Sequence, residues 1–114
     1  MNFLTQLFGP PIESITTYQV DEKLKGNKRP ILVDVREPHE FKTGHVAGAK
    51  LIPLGELAKR MAELPKDKEI ICICASGSRS SSATKMLVKA GFNAINTRGG
   101  MYAWRSAGLP LKKG

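Results

Sequence analysis

With 114 residues, 41% of them hydrophobic and 25% charged, the chain has the size and balance of one domain that can bury a core without disulfide staples. Its net charge of +8 comes from lysines and arginines scattered between Lys23 and Lys113, with no long basic run and no interleaved aromatics, which argues against a nucleic-acid surface. No stretch is apolar enough to span a membrane.

In chain order, residues 1–12 read as an N-terminal extension and residues 13–114 as the domain. The extension carries Phe3, Leu4, Leu7 and Phe8 but no basic residue, and Gly9-Pro10-Pro11 breaks it. It is therefore not a secretory signal. Its apolar residues read as a helical turn packed on the domain, or as a contact for a partner or second subunit. Glu13 to Ile15 suits a short edge strand. Thr16 with Gln19 fits a capping box for a helix ending near Gly26. Ile31 to Val35 reads as a buried strand, Glu37 to Thr43 as a short helix stopped by Gly44, and Lys50 to Pro53 as a strand. Leu54, Leu57, Ala58, Met61 and Leu64 mark one face of a helix before Pro65.

Glu69 to Cys74 is an almost unbroken apolar run, the mark of a strand covered on both faces. Ser80 to Ala90 follows as a helix with Ala83, Met86, Leu87 and Ala90 on one side, closed by Gly91. Phe92 to Thr97 is a final strand, and Gly99-Gly100 opens a last helix around Tyr102 and Trp104. Such alternation predicts an α/β fold: a parallel sheet of about five strands, helices on both faces, right-handed crossovers.

Between the fourth strand and its helix lies Cys74-Ala75-Ser76-Gly77-Ser78-Arg79-Ser80. Open α/β sheets bind ligands at this end. The cysteine lies near the positive end of the following helix, where amides lack internal partners, and both effects favour its nucleophilic thiolate form. The small side chains leave the loop backbone uncovered, so consecutive amides can form an anion nest. Arg79 adds a fixed charge, either to hold an anionic substrate or to tie the loop to the body. Cys72 shares the strand face of Cys74 one pleat deeper. It reads as a core thiol, with a resolving cysteine as the alternative, although C-x-C in an extended strand misfits disulfide geometry. The two cysteines form neither a disulfide framework nor a zinc site, which suggests a reducing, cytoplasmic setting. Arg36 pairs with Asp34, Glu37 or Glu40 rather than with substrate, His45 is a structural histidine, and Trp104 packs the last helix.

These segments resemble the single-domain rhodanese family, a three-layer sandwich. The residues that carry the resemblance are Leu32-Val33-Asp34-Val35-Arg36-Glu37 with Glu40-Phe41 and Gly44-His45-Val46-Ala47-Gly48-Ala49, then the Cys74 loop, then Gly99-Gly100-Met101-Tyr102-Ala103-Trp104 with Gly108-Leu109-Pro110. The resemblance runs from Ile15 to Leu111. It implies sulfur transfer through a persulfide on Cys74, with Ala75, Ser76, Gly77, Ser78, Arg79 and Ser80 binding substrate. It implies no metal or organic cofactor. The implied donor is a small sulfur anion such as thiosulfate, and the acceptor is cyanide, a thiol or a thioredoxin-like protein. No nucleic acid or membrane partner is expected, and the oligomeric state is left open. Related cell-cycle phosphatases and arsenate reductases have a loop one residue longer. A phosphatase or arsenate reductase, and a binding or sulfur-carrier module without turnover, remain the alternatives.

Overall fold

The central strand, β4 (Glu69–Ile73), organises the molecule, and almost all of it is buried. The structure is a computed structural model and describes residues 11–114. β1 (Glu13–Ile15), β2 (Ile31–Asp34), β3 (Lys50–Leu51) and β5 (Asn93–Thr97) join β4 in the order β1-β5-β4-β2-β3, every neighbouring pair parallel. The helices are α1 (Thr17–Lys25), α2 (Pro38–Lys42), α3 (Leu57–Arg60), α4 (Ser78–Lys89) and α5 (Gly100–Ser106).

Strand alternation divides the core in two. One face of the sheet carries Val33, Ile70, Cys72, Cys74 and Ala94 against Leu57 and Leu64 and against Ala83 and Leu87 of α4. The other carries Ile15, Leu32, Ile71, Ile73 and Ile95 against Val20 and Leu24 of α1 and Met101 and Trp104 of α5. Each fully buried Ile or Leu contributes about 1.5–3 kcal/mol relative to exposure, so a strand buried on both sides fixes the register of its neighbours. The result is the expected three-layer sandwich.

The capping box that opens α1 is formed. Thr16 Oγ1 accepts from the Gln19 amide at 3.2 Å, and Gln19 Oε1 accepts from the Thr16 amide at 2.8 Å. The helix expected from Leu54 to Leu64 is instead a 3-10 turn (Leu54–Glu56), the single α turn α3, and a second 3-10 turn (Met61–Glu63). Gly55 weakens helix propagation there, and none of the three short elements has a side-chain cap. The apolar residues still reach the core, because 3-10 and α turns repeat at similar spacing. β3 ends at Leu51 because Pro53 has no N–H for the ladder, although Ile52 and Leu54 amides still donate to Asp34 and Val35 carbonyls at 3.0 Å. α4 begins at Ser78, two residues before its expected start. The expectation for Phe3, Leu4, Leu7 and Phe8 falls outside the described residues. No helix among the described residues is long and apolar enough to cross a membrane.

A buried ion pair closes the carboxyl end of β2. The Asp34 carboxylate accepts from Arg36 Nη2 at 2.8 Å, from Nε at 3.0 Å and from the Arg36 amide at 3.1 Å. The same guanidinium donates to the carbonyls of Glu40 at 3.2 Å and Gly44 at 2.9 Å. Of the three acidic partners expected for Arg36, the structure selects Asp34. Asp34 and Arg36 are both almost fully buried, so removing one leaves an uncompensated charge in the interior. Arg36→Ala is expected to lower unfolding free energy by about 3–5 kcal/mol in chemical denaturation. A loss well under about 1 kcal/mol would show that water reaches Asp34 in solution.

Candidate active site

Cys74 follows the last residue of β4, where the apolar run gives way to residues too small to cover their own backbone. Gly77 has φ +106° and turns the chain into α4. A Cβ at that position would lie 3.4 Å from the Gly99 amide nitrogen, so the backbone of the loop after β5 approaches closely. Parallel pairing of β4 with β5 brings these two loops together at the carboxyl edge of the sheet.

Cys74 Sγ accepts two hydrogen bonds, from the Gly77 amide at 3.1 Å and from Ser80 Oγ at 3.3 Å. Of the loop amides, only that of Gly77 reaches the sulfur. The amides of Ala75, Ser76, Ser78 and Arg79 make no hydrogen bond to the sulfur or to any other described residue. The carbonyls of Cys74 and Ala75 are occupied, accepting from the amides of Met101 at 2.8 Å and Tyr102 at 3.0 Å in the first turn of α5. Gly100, with φ +56°, makes this approach possible, since a Cβ there would lie 2.6 Å from the Ala75 oxygen. Cys74 has no exposed surface, and the exposed residues of the loop above it are Ser76 and Ser78.

Arg79 is engaged elsewhere. Its Nη1 and Nη2 donate to Glu40 Oε1 at 2.7 Å and Oε2 at 2.8 Å, a two-pronged pair from the start of α4 to α2. The Arg79 hydrogen bond holds the Glu40 carboxyl down at about 2, and the same pair raises the guanidinium further. Sequence reasoning placed Glu40 only as a partner of Arg36. Its carbonyl does take Arg36, but its carboxylate takes Arg79. The available signal was the Glu37–Glu40 spacing of a capping box, formed here by the Glu37 amide and Glu40 Oε1 at 2.9 Å, which aims the carboxylate along the start of the helix.

The remaining candidates lie away from the loop. Cys72 is a buried thiol whose titration is pushed up to about 12 by burial, so it stays protonated and packs as an apolar group. His45 stacks on Phe41 at 3.6 Å, its Nδ1 lies 2.9 Å from the Phe41 carbonyl, and its backbone exchanges two 2.8 Å hydrogen bonds with Lys112. Trp104 Nε1 donates to the Pro110 carbonyl at 2.9 Å from inside the core. Both cysteines are free, and no cluster of three His, Cys, Asp or Glu side chains suited to a metal occurs among the described residues.

A family model described as the rhodanese-like domain matches residues 16–107. The chain is 38% identical over 99 residues to a Bacillus subtilis protein named putative sulfurtransferase YtwF, an alignment covering 87% of this chain and 96% of that one. It is 34% identical over 101 residues to an Allochromatium vinosum protein named sulfurtransferase, with coverage of 88% and 94%. Among solved structures, a rhodanese-related protein from Thermoplasma volcanium superposes with TM-score 0.82 at 34% identity, covering 88% of this chain and 97% of that one.

The Arg79–Glu40 pair has a defined pH signature. The Glu40 carboxyl titrates near 2 when folded, against an ordinary 4.5, so the pair contributes stability above the ordinary value and loses it as pH falls through about 2. Glu40→Gln is expected to unfold at lower urea than the parent at neutral pH, with the gap closing as pH falls from 4.5 towards 2. The gap will be modest, because both side chains are partly exposed and solvent-screened. A gap that does not change with pH would refute the assignment.

Proposed function

The chain belongs to the rhodanese-like domain family, and from that premise we propose that it is a sulfurtransferase whose Cys74 carries a sulfane sulfur as a persulfide. The observation that carries this reading is the cysteine sulfur at the start of α4, hydrogen-bonded by the Gly77 amide and bordered by further loop amides without acceptors. Free cysteines and relatives named sulfurtransferases support it as well.

In the proposed reaction the Cys74 thiolate attacks the outer sulfur of thiosulfate or a comparable donor. A new Sγ–S bond forms, the donor's S–S bond breaks, and sulfite leaves with the electron pair. The outer persulfide sulfur carries negative charge and rests against loop amides, which act by the logic of an oxyanion hole. Ala75, Ser76, Ser78 and Arg79 supply those amides, while the Gly77 amide holds Sγ itself. Cyanide or a thiol, including a thiol on a thioredoxin-like protein, then removes the sulfur. Because Glu40 neutralises Arg79, the seat draws its positive character mainly from the main chain. That arrangement suits a small sulfur better than a doubly charged phosphate, which an unpaired arginine fork would clamp. The start of the family match at residue 16 supports residues 13–114 as the working domain, with residues 1–12 as an extension. A cytoplasmic setting is part of this proposal, in keeping with a sequence that carries no disulfide framework.

Incubation with thiosulfate is expected to add the mass of one sulfur atom to Cys74. Cys74→Ser should stay folded and neither load nor turn over, whereas Cys72→Ser should load as the parent does. Thiosulfate–cyanide turnover retained in Cys74→Ser would end the proposal. Since the sulfur lies under the loop, small alkylating reagents should modify Cys74 far faster than bulky aromatic disulfides. Equal rates would mean that the loop does not cover it in solution.

A further inference from the structure

We propose that Ser80 acts directly on the reacting sulfur, and that the resting sulfur and the carried sulfur use different donors. The second half of this proposal rests on the sulfurtransferase reading; the first does not.

Ser80 occupies the third position of α4. Serine and threonine hydroxyls within helices commonly bond the carbonyl four residues back. Ser82 and Thr84 do so, donating to the carbonyls of Ser78 at 3.5 Å and Ser80 at 2.7 Å. Ser80 departs from that habit and turns its hydroxyl to Cys74 Sγ at 3.3 Å. Ser80 has no exposed surface, and the sulfur is its hydroxyl's only acceptor among the described residues. A neutral thiol is a weak acceptor, and a buried hydroxyl without a good partner costs free energy. A thiolate is a strong acceptor. The Gly77 amide and the Ser80 hydroxyl therefore form a floor that is satisfied when Sγ is negative.

During loading, the negative charge leaves Sγ. The Sγ–S bond forms, the donor's S–S bond breaks, its electron pair departs with sulfite, and Sγ becomes a neutral bridging atom. The charge now lies on the outer sulfur, which the floor donors do not reach. The amides of Ala75, Ser76, Ser78 and Arg79, all without acceptors, are the groups left to take it. During unloading, the carbon of cyanide bonds the outer sulfur, the S–S bond breaks, and its electron pair returns to Sγ as thiocyanate forms. Ser80 donates to that leaving thiolate. A better-stabilised thiolate leaves faster but attacks more weakly, so Ser80 favours unloading more than loading.

The test compares Ser80→Ala, Ser80→Thr and the parent, each in a Cys72→Ser background so that Cys74 is the single thiol. Ultraviolet absorbance of the thiolate is followed against pH, with Arg79 and its Glu40 partner unaltered throughout. In Ser80→Ala the thiolate is expected to develop at higher pH. Transfer from the preloaded persulfide to cyanide should slow by about tenfold or more, the worth of one hydrogen bond to a charged group, while loading from thiosulfate changes less. Ser80→Thr keeps the hydroxyl and should retain the parent's ratio of the two half-reactions. Coincident thiolate curves for Ser80→Ala and the parent overturn the role of Ser80. Equal slowing of both half-reactions in Ser80→Ala, or unloading in Ser80→Thr as slow as in Ser80→Ala, overturns the separate seats. A parent that never gains sulfur defeats the sulfurtransferase reading instead, and the thiolate curves still decide the role of Ser80.

Discussion

Two main-chain hydrogen bonds, from the amides of Met101 and Tyr102 to the carbonyls of Cys74 and Ala75, are the constraint on which the site depends. A trans peptide unit carries its C=O and N–H on opposite sides. Pinning those two carbonyls to α5 therefore turns the amides of Ala75 and Ser76 away from it. The contact requires glycine at position 100, where any side chain would run into the Ala75 carbonyl. Burial of Met101 and Trp104, and the bond from Trp104 to the Pro110 carbonyl, hold α5 against the sheet. The core thus reaches the reactive loop through its peptide orientation, and no side chain is needed as intermediary.

The same design explains the electrostatics. The arginine of the loop and the arginine that follows β2 each have an anionic partner. Arg79 is held by Glu40, and Arg36 by Asp34 beneath it. The net charge of +8 is distributed over the rest of the surface. What reaches the sulfur is the Gly77 N–H and the Ser80 hydroxyl, both fixed in place before any charge develops. Fixed dipoles need no reorganisation when an anion forms, so they stabilise it more effectively than a mobile charged side chain would.

Much of this was legible in the sequence, because the determinants are local. The apolar run of Glu69 to Cys74 named a strand covered on both faces. Thr16 and Gln19 named the cap of α1, and Gly77 and the small residues beside Cys74 named an uncovered loop. What was not legible depends on groups far apart in the chain. Glu40 and Arg79 lie 39 residues apart, and nothing in either neighbourhood selects the other. The donors to the Cys74 and Ala75 carbonyls lie 27 residues further along the chain, in a contact set by strand order. Leu54 to Leu64 failed differently: the apolar spacing was right, but spacing alone does not separate one helix from a chain of short turns when Gly55 interrupts it. Ser80 was placed in the loop's binding set, yet which way its hydroxyl turns is a rotamer choice that spacing cannot fix.

The buried sulfur bears on the size of group that the site can handle. Cys74 has no exposed surface, and the cover above it is a single turn of chain ending in the exposed Ser76 and Ser78. The Cys74 and Ala75 carbonyls tie the start of this cover to α5, while Ser76, Gly77 and Ser78 make no main-chain hydrogen bond to α5. A bulky tetrahedral group would need the whole loop to widen against Gly99 and Gly100, where there is no room for even a Cβ on Gly100 beside the Ala75 carbonyl. One added sulfur atom asks for far less: a seat for a single charged atom beside amides that have no other acceptor. Under the proposed transfer, depth and thin cover together would act as a filter, admitting a donor that can present its sulfur end-on.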